Sequence, residues 1–293
     1  MLQGMCKNLV QHADISLPLL LYNRSKDRAV SLNETLGSDK TEVIENLATG
    51  ISRADVLFTC VSNDEAVREL FDTILRDDIK GKLLIECSTI HPDTTEALAK
   101  AVTDVGAEFV AAPVFGAPAA AEAGQLISVL AGPGASVEKA RVFFKGAMAR
   151  TEIIMADKPY GQALKLKVIG NTFILAMVEQ LSEAHVLAEK SGLGTEFVHK
   201  FVQELFGGPY GAYSSRMLDG TYHKMAEPLF GVDLARKDAR HAKSLAAEAG
   251  VGMQIVEIGD RHLESVQKHS GTSGDIAGIY GAVREEAGLS FEN

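Results

Sequence analysis

Two polar residues stand out inside an otherwise apolar helical stretch, Lys167 and Asn171. They are four residues apart, so on a helix they share a face. A lysine and an amide side by side can hold one small polar ligand. If the lysine is buried, its charged form is disfavoured and it can give or take a proton near working pH. A plainer role fits the same pair: Lys167 runs its stem out to solvent and Asn171 caps a neighbour. Lys165, two positions from Lys167, points nearly the opposite way.

A second candidate is Arg24, in the run Asn23-Arg24-Ser25 at the end of an apolar strand. In a nucleotide-binding sheet, an acid at such a strand end grips the ribose of NAD. An arginine there suits the extra phosphate of NADP. Arg24 can pair with a phosphate through two bonds and stack on adenine. An ordinary exposed arginine is the plainer alternative. The pair Ser88-Thr89 follows another apolar strand and is either a ligand loop or a strand-to-helix turn.

These residues need elements to place them. Residues 161–192 read as one long helix, with Leu164, Val168, Phe173, Leu175, Val178, Leu181, Ala184 and Leu187 at helical spacing. Glu179, Glu183 and Lys190 mark its polar face, and Gly192 is its stop. The apolar surround at 172–177 predicts burial on more than one face. Residues 1–10 read as the inside of a helix. Short strands are predicted at 18–25, 41–44, 56–61, 83–87, 108–112, 127–131 and 151–155. Helices are predicted from Asn63 or Asp64 to 75, at 92–105 and at 136–148. Apolar strands alternating with helices predict βαβ units and a mostly parallel sheet.

After Met155 the strand signal fades, and helical patterns follow at 196–205, 232–249, 255–269 and 275–287. The predicted organisation is an α/β domain over 1–157 and an all-helical domain over 158–293. Ligands of open parallel sheets bind outside the carboxyl ends of the strands. The start of the long helix, just after the last strand, is placed to serve such a crevice.

Composition narrows the function. The chain has 293 residues, 46% hydrophobic and 23% charged, as in ordinary globular proteins. Its net charge of −10 disfavours a nucleic-acid partner, because no basic stripe is present to release counterions. No run approaches a membrane span; the apolar stretch 17–21 is short and holds Pro18. The three cysteines lie far apart with no Cys-x-x-Cys, which predicts free thiols in a reducing compartment and no zinc site. With no leader visible, the expected location is the cytoplasm, or a mitochondrion if a leader precedes these residues. No glycine-rich dinucleotide loop occurs before the first helix.

Several motifs taken together resemble the β-hydroxyacid dehydrogenase family, which includes 3-hydroxyisobutyrate dehydrogenases, glyoxylate/succinic semialdehyde reductases and the short relatives of 6-phosphogluconate dehydrogenase. Met5, Asn8 and Leu9 match the end of G-x-G-x-x-G-x-x-M-A-x-N-L, with Leu2 in the place of the third glycine. The resemblance implies that the first strand and first two glycines lie before Met1. Asn23-Arg24-Ser25 resembles the NADP-type end of the second strand. Val61-Ser62-Asn63-Asp64 and Cys87-Ser88-Thr89 resemble the loops that pass close to the cofactor. Residues 112–117, Ala-Pro-Val-Phe-Gly-Ala, resemble the substrate loop A-P-V-S-G-G. Residues 161–171 resemble G-x-G-x-x-x-K-x-x-N-N, which puts the catalytic lysine at Lys167 and the last amide at Asn171. Residues 230–238 fit F-x-x-x-L-x-x-K-D, with Lys237 and Asp238 bordering the site.

The resemblance implies a Rossmann-like, mostly parallel sheet lacking its first strand, then an all-helical domain that pairs chains into a homodimer or homotetramer. It implies reversible hydride transfer between NADP(H), in preference to NAD(H), and a small hydroxy acid or semialdehyde, with Lys167 as general acid and base. Asn23, Arg24, Ser25, Val61, Ser62, Asn63, Ser88, Thr89 and Lys237 would meet the cofactor. Phe115, Gly116, Ala117, Lys237 and Asp238 would meet the substrate. The chain departs from the pattern at Phe115, Gly170 and Ala163, where serine, asparagine or histidine, and glycine are usual. The first two changes remove polar partners, so the expected substrate is less polar than hydroxyisobutyrate, or held differently. Backbone amides at Gly116 and Ala117 can still meet an anion. Three other readings stay open. A catalytically silent family member follows from the missing phosphate cradle. Imine reduction suits Phe115 but not the retained Lys167. Decarboxylation of a phosphosugar acid lacks phosphate-binding side chains.

Overall fold

The computed structural model describes residues 1–16 and 18–293; Leu17, part of the short apolar run, lies outside the described residues. The chain divides into two compact units, residues 1–167 and 168–293.

The first unit alternates strands and helices: α1 (Leu2–His12), β1 (Leu19–Leu21), α2 (Lys26–Leu36), β2 (Thr41–Val43), α3 (Leu47–Arg53), β3 (Val56–Thr59), α4 (Asp64–Ile74), β4 (Leu83–Glu86), α5 (Pro92–Asp104), β5 (Glu108–Ala111), β6 (Val114–Phe115), α6 (Pro118–Glu122), β7 (Leu126–Gly132), α7 (Gly134–Arg141) and β8 (Ala149–Ala156). Strands β1 and β2 pair in parallel as a small sheet of their own. The larger sheet runs β3-β4-β5-β7-β6, with β8 on β7. Its β3-β4-β5 ladder and the β7-β8 pair are parallel, while β7 meets β5 and β6 antiparallel.

Both faces of this sheet are covered, which is why its strands read as continuous apolar runs. Leu84, Phe109, Ala111, Val129 and Ala131 face one layer, with Val67, Phe71 and Val102. Leu83, Ile85, Val110, Leu126 and Leu130 face the other, with Met5, Leu9 and Val137. The alternation is the two-residue period of a strand. Caps set where the helices begin. Asn63 accepts from Ala66 N–H, and His91 precedes Pro92 at the first turn of α5.

The long helix, α8 (Gly161–Ser191), begins in the first unit and continues into the second. After it come α9 (Thr195–Leu205), α10 (Gly208–Leu218), α11 (Thr221–Lys224), α12 (Val232–Ala249), α13 (Gln254–Ser270) and α14 (Ile279–Glu286), with single 3₁₀ turns at Gly271–Ser273 and Ile276–Gly278. Among the described residues no strand follows β8. The second core joins Val178, Leu181, Met217, Val232, Leu263 and Tyr280. No described helix is long and apolar enough to cross a membrane.

Three expectations need correction, and one helix was not predicted. The helix expected over 136–148 stops at Arg141. Beyond it the chain turns, with Gly146 at φ 83°, and Phe143 and Phe144 pack against Phe58. Residues 208–218, where no helix is predicted, form one despite two glycines, because Gly211, Ser214 and Met217 face the core at helical spacing. Phe173 and Leu187 are exposed rather than part of the buried stripe of α8. Glu179 is buried rather than on a wet face. His262 Nδ1 lies 2.7 Å from its Oε1, and exposed Glu286 sits 3.2 Å from His262 Nε2.

That arrangement has a pH signature. The hydrogen bond to Glu179, with help from both carboxylates, raises His262 above 6.5. Its stabilising effect is present below about 6.5 and is lost as pH rises through the folded value. His185 works the other way. Burial and, secondarily, His199 push it down to about 4, so its effect is present above 6.5 and fades as pH falls toward 4. Urea unfolding of His262→Gln should therefore show the largest loss on the acid side of neutrality and a shrinking loss on the alkaline side.

Candidate active site

The first unit gathers its candidates at the carboxyl ends of parallel strands. Arg24 is exposed between β1 and α2, beside Asn23 and Ser25. Asn23 Nδ2 donates to Ser25 O at 2.8 Å, which tightens the turn, and Ser25 is the N-cap position of α2. Val61, Ser62 and Asn63 form the loop after β3. Ser62 and Asn63 are exposed, although Asn63 Oδ1 is already used to cap α4. Ser88 and Thr89 follow β4. Thr89 is half-buried, while Ser88 is 1% exposed with Oγ accepting from Val61 N–H at 2.8 Å.

Phe115 ends β6, and Gly116 and Ala117 lead into α6. Gly116 has φ 141°, and a Cβ there would lie 2.7 Å from Leu126 Cδ2. Asn8 fixes this loop from below, donating from Nδ2 to Gly4 O at 2.8 Å and to Ala121 O at 2.7 Å. The start of α8 is also anchored. Gly161 N–H donates to Glu96 Oε1 at 2.7 Å, and Ala163 and Leu164 are wholly buried. Two turns into the helix, Lys167 is 8% exposed with Nζ 4.5 Å from the centroid of the Phe115 ring. An ammonium over a ring face is attracted by the ring's quadrupole. Lys165 is exposed, as its position on the helix predicts.

In the second unit, Asn171 donates from Nδ2 to Asp238 Oδ2 at 2.6 Å. Lys237 Nζ lies 3.3 Å from Asp238 Oδ1, and both residues are buried on α12. Asn171, Asp238 and Phe230 line a small hollow with Leu175, Ala239 and Ile276. Phe230 is held by Asp275, a buried acid that accepts its N–H at 3.0 Å and pairs with Arg216.

The structure thus joins Val61 to Ser88, Phe115 to Lys167, and Asn171 to Asp238 and Lys237. Asn23, Arg24 and Ser25 stand apart at the end of β1 in the small sheet. Glu86 and Asp275 were missed. Only Glu86 left a signal, as an acid in an apolar strand. The exposed Arg24 guanidinium, Ser62 and half-open Thr89 suit a phosphate, ribose hydroxyls and an amide, so the residues present fit a nicotinamide dinucleotide.

Comparison with known proteins agrees. Residues 1–156 match the family model described as the NAD binding domain of 6-phosphogluconate dehydrogenase. Residues 161–283 match the model described as NAD-binding of NADP-dependent 3-hydroxyisobutyrate dehydrogenase. The chain is 36% identical to the NADH-dependent oxidoreductase ucdB of Aspergillus ustus, over 98% of this chain and 97% of that one. It is 26% identical to glyoxylate/succinic semialdehyde reductase 1 of Arabidopsis thaliana, over 88% of this chain and 89% of that one. Its fold resembles a 3-hydroxyisobutyrate dehydrogenase from Salmonella typhimurium, with a TM-score of 0.82, 18% identity, and coverage of 95% and 94% of the two chains.

The backbone at Gly116 gives a direct check on the loop after β6. Gly116→Ala should cost about 1–3 kcal/mol in urea unfolding, because the residue would hold a strained φ and strike Leu126.

Proposed function

The chain belongs to the β-hydroxyacid dehydrogenase family of NAD(P)-dependent oxidoreductases, and we propose that it transfers hydride reversibly between NADP(H) and a small semialdehyde, carbonyl compound or hydroxy acid. The observation that carries this reading is the buried Lys167, held against Phe115 of the substrate loop. The cofactor supplies the hydride. In reduction, Lys167 Nζ gives a proton to the carbonyl oxygen; in oxidation it takes the hydroxyl proton. Asn171, one helical turn along α8, orients the reacting oxygen by hydrogen bonding, with its amide steadied by Asp238. Lys237 is kept in place by the same acid within the second unit.

NADP(H) is favoured because the strand-end run Asn23-Arg24-Ser25 holds no acid to accept ribose hydroxyls, while Arg24 stands exposed to meet a phosphate. The NADH-dependent relative from Aspergillus ustus is the counter-argument. Nicotinamide-fluorescence titration of the chain with NADPH and NADH decides between them. NADPH should bind more tightly, and Arg24→Ala should weaken NADPH about tenfold or more, as loss of a charged phosphate contact does, while leaving NADH unchanged. Tighter NADH binding, unaffected by Arg24→Ala, would reverse the preference.

Phe115 sets the substrate. A ring in place of a hydroxyl favours a carbonyl compound with an apolar or aromatic group where other members seat a carboxylate. Oxidation of NADPH followed across a panel of aldehydes should show this preference, and Phe115→Ser should move it toward carboxylated semialdehydes. Imine reduction is the second reading, favoured by the same ring and opposed by the retained Lys167.

Residues 158–293 are proposed to pair two copies of the chain. Ile169, Phe173 and Leu187 fall on one exposed stripe of α8, and Phe197, Phe201 and Leu205 on one exposed face of α9. Large apolar side chains left wet along these stripes suit an interface with a second copy. Sedimentation should give a dimer or tetramer, and Phe173→Glu with Phe201→Glu should give monomers.

A further inference from the structure

The seam between β3 and β4 is tied more often than a parallel ladder requires. Thr59 and Glu86 are the last partners in register. Beyond them Cys87 N–H donates to Thr59 O at 2.8 Å. Val61 N–H donates to Ser88 Oγ, and His91 N–H to Asp64 Oδ1, both at 2.8 Å. Arg68 Nη2 then reaches Thr94 Oγ1 at 2.7 Å, so α4 and α5 are joined one turn further on. Glu86 lies beneath this lip at 0% exposure, and its Oε1 accepts from Ser88 N–H at 2.7 Å.

A buried carboxylate in a strand of leucine and isoleucine is costly, and packing alone gives no reason for it. Its bond to Ser88 does. It fixes the backbone of Ser88, whose hydroxyl then fixes the backbone of Val61. Ser88 is buried, whereas Ser62 is exposed and Thr89 half-buried. We propose that Glu86 and Ser88 are positioning residues for the dinucleotide: Glu86, acting through Ser88, locks the loops after β3 and β4 into one rigid lip that presents Ser62 and Thr89. This rests on the reading that the two loops carry the cofactor. It also moves Ser88 from contact to strut.

The test measures cofactor affinity and unfolding midpoint together, using whichever of NADPH or NADH the unaltered chain binds. Glu86→Ala leaves the buried Ser88 N–H without its acceptor, and Ser88→Ala removes the acceptor of Val61. Each should weaken cofactor binding about tenfold. Glu86→Gln keeps an acceptor oxygen and should stay within about twofold of the unaltered chain. Val102→Ala, in the core near the far end of α5, serves as a control that loses stability without touching the lip. It should leave affinity unchanged. If Glu86→Ala fails to fold, Ser88→Ala carries the test. Unchanged affinity in the folded lip variants, or an equal loss in Val102→Ala, overturns the proposal. An unaltered chain that binds neither cofactor overturns the underlying reading of the loops instead.

Discussion

A lysine kept 8% exposed with its ammonium 4.5 Å from a phenyl centroid is the constraint around which the rest is built. Burying a charge costs several kcal/mol unless partners offset it, so the fold must hold this lysine where it is. The anchor is the start of α8. Gly161 donates to Glu96, and a Cβ there would lie 3.1 Å from Pro92. Tyr160 stacks edge-on against Phe109, whose ring belongs to the central sheet. With Ala163 and Leu164 buried in the same layer, the helix cannot slide or rotate, and Lys167 is delivered to Phe115.

The loop after β6 is fixed from the other side. Asn8 joins α1 to α6 through backbone carbonyls, and Gly4 permits an approach in which any Cβ would lie 2.7 Å from Ala121 C. The loops after β3 and β4 are fixed in turn by their own side chains. A positioning logic therefore recurs across the first unit: a buried polar side chain satisfies backbone groups of a neighbouring segment. The second unit uses the same device. Asp275 holds Phe230, and Asp238 holds Asn171.

Much of this was legible in the sequence because both of its periods are strong. The apolar runs at 83–87 and 108–112 match strands buried on both faces, and the spacing at 161–192 matches α8 almost to the residue. The stop at Gly192 follows from its φ of 75°. What was not legible depended on partners distant in the chain. Glu179 reads as a surface acid until His262 arrives from 83 residues away. No helix is predicted over 208–218, where two glycines and Pro209 lower the propensity, and burial of one face favours the helix. That Ser88 Oγ accepts from Val61 N–H is likewise invisible in the sequence, since the two lie 27 residues apart. Phe173 and Leu187 share the period of the buried stripe and still face outward, since a helix period does not say how many faces are covered.

The measurement that bears most directly on the central claim is the behaviour of Lys167→Met. The methionine keeps the apolar stem and removes the proton donor. NAD(P)H oxidation with the best aldehyde of the panel should fall about a hundredfold or more, while cofactor affinity stays within about twofold of the unaltered chain. Retained turnover would contradict the account, and would direct attention to the exposed Lys165 as the proton donor.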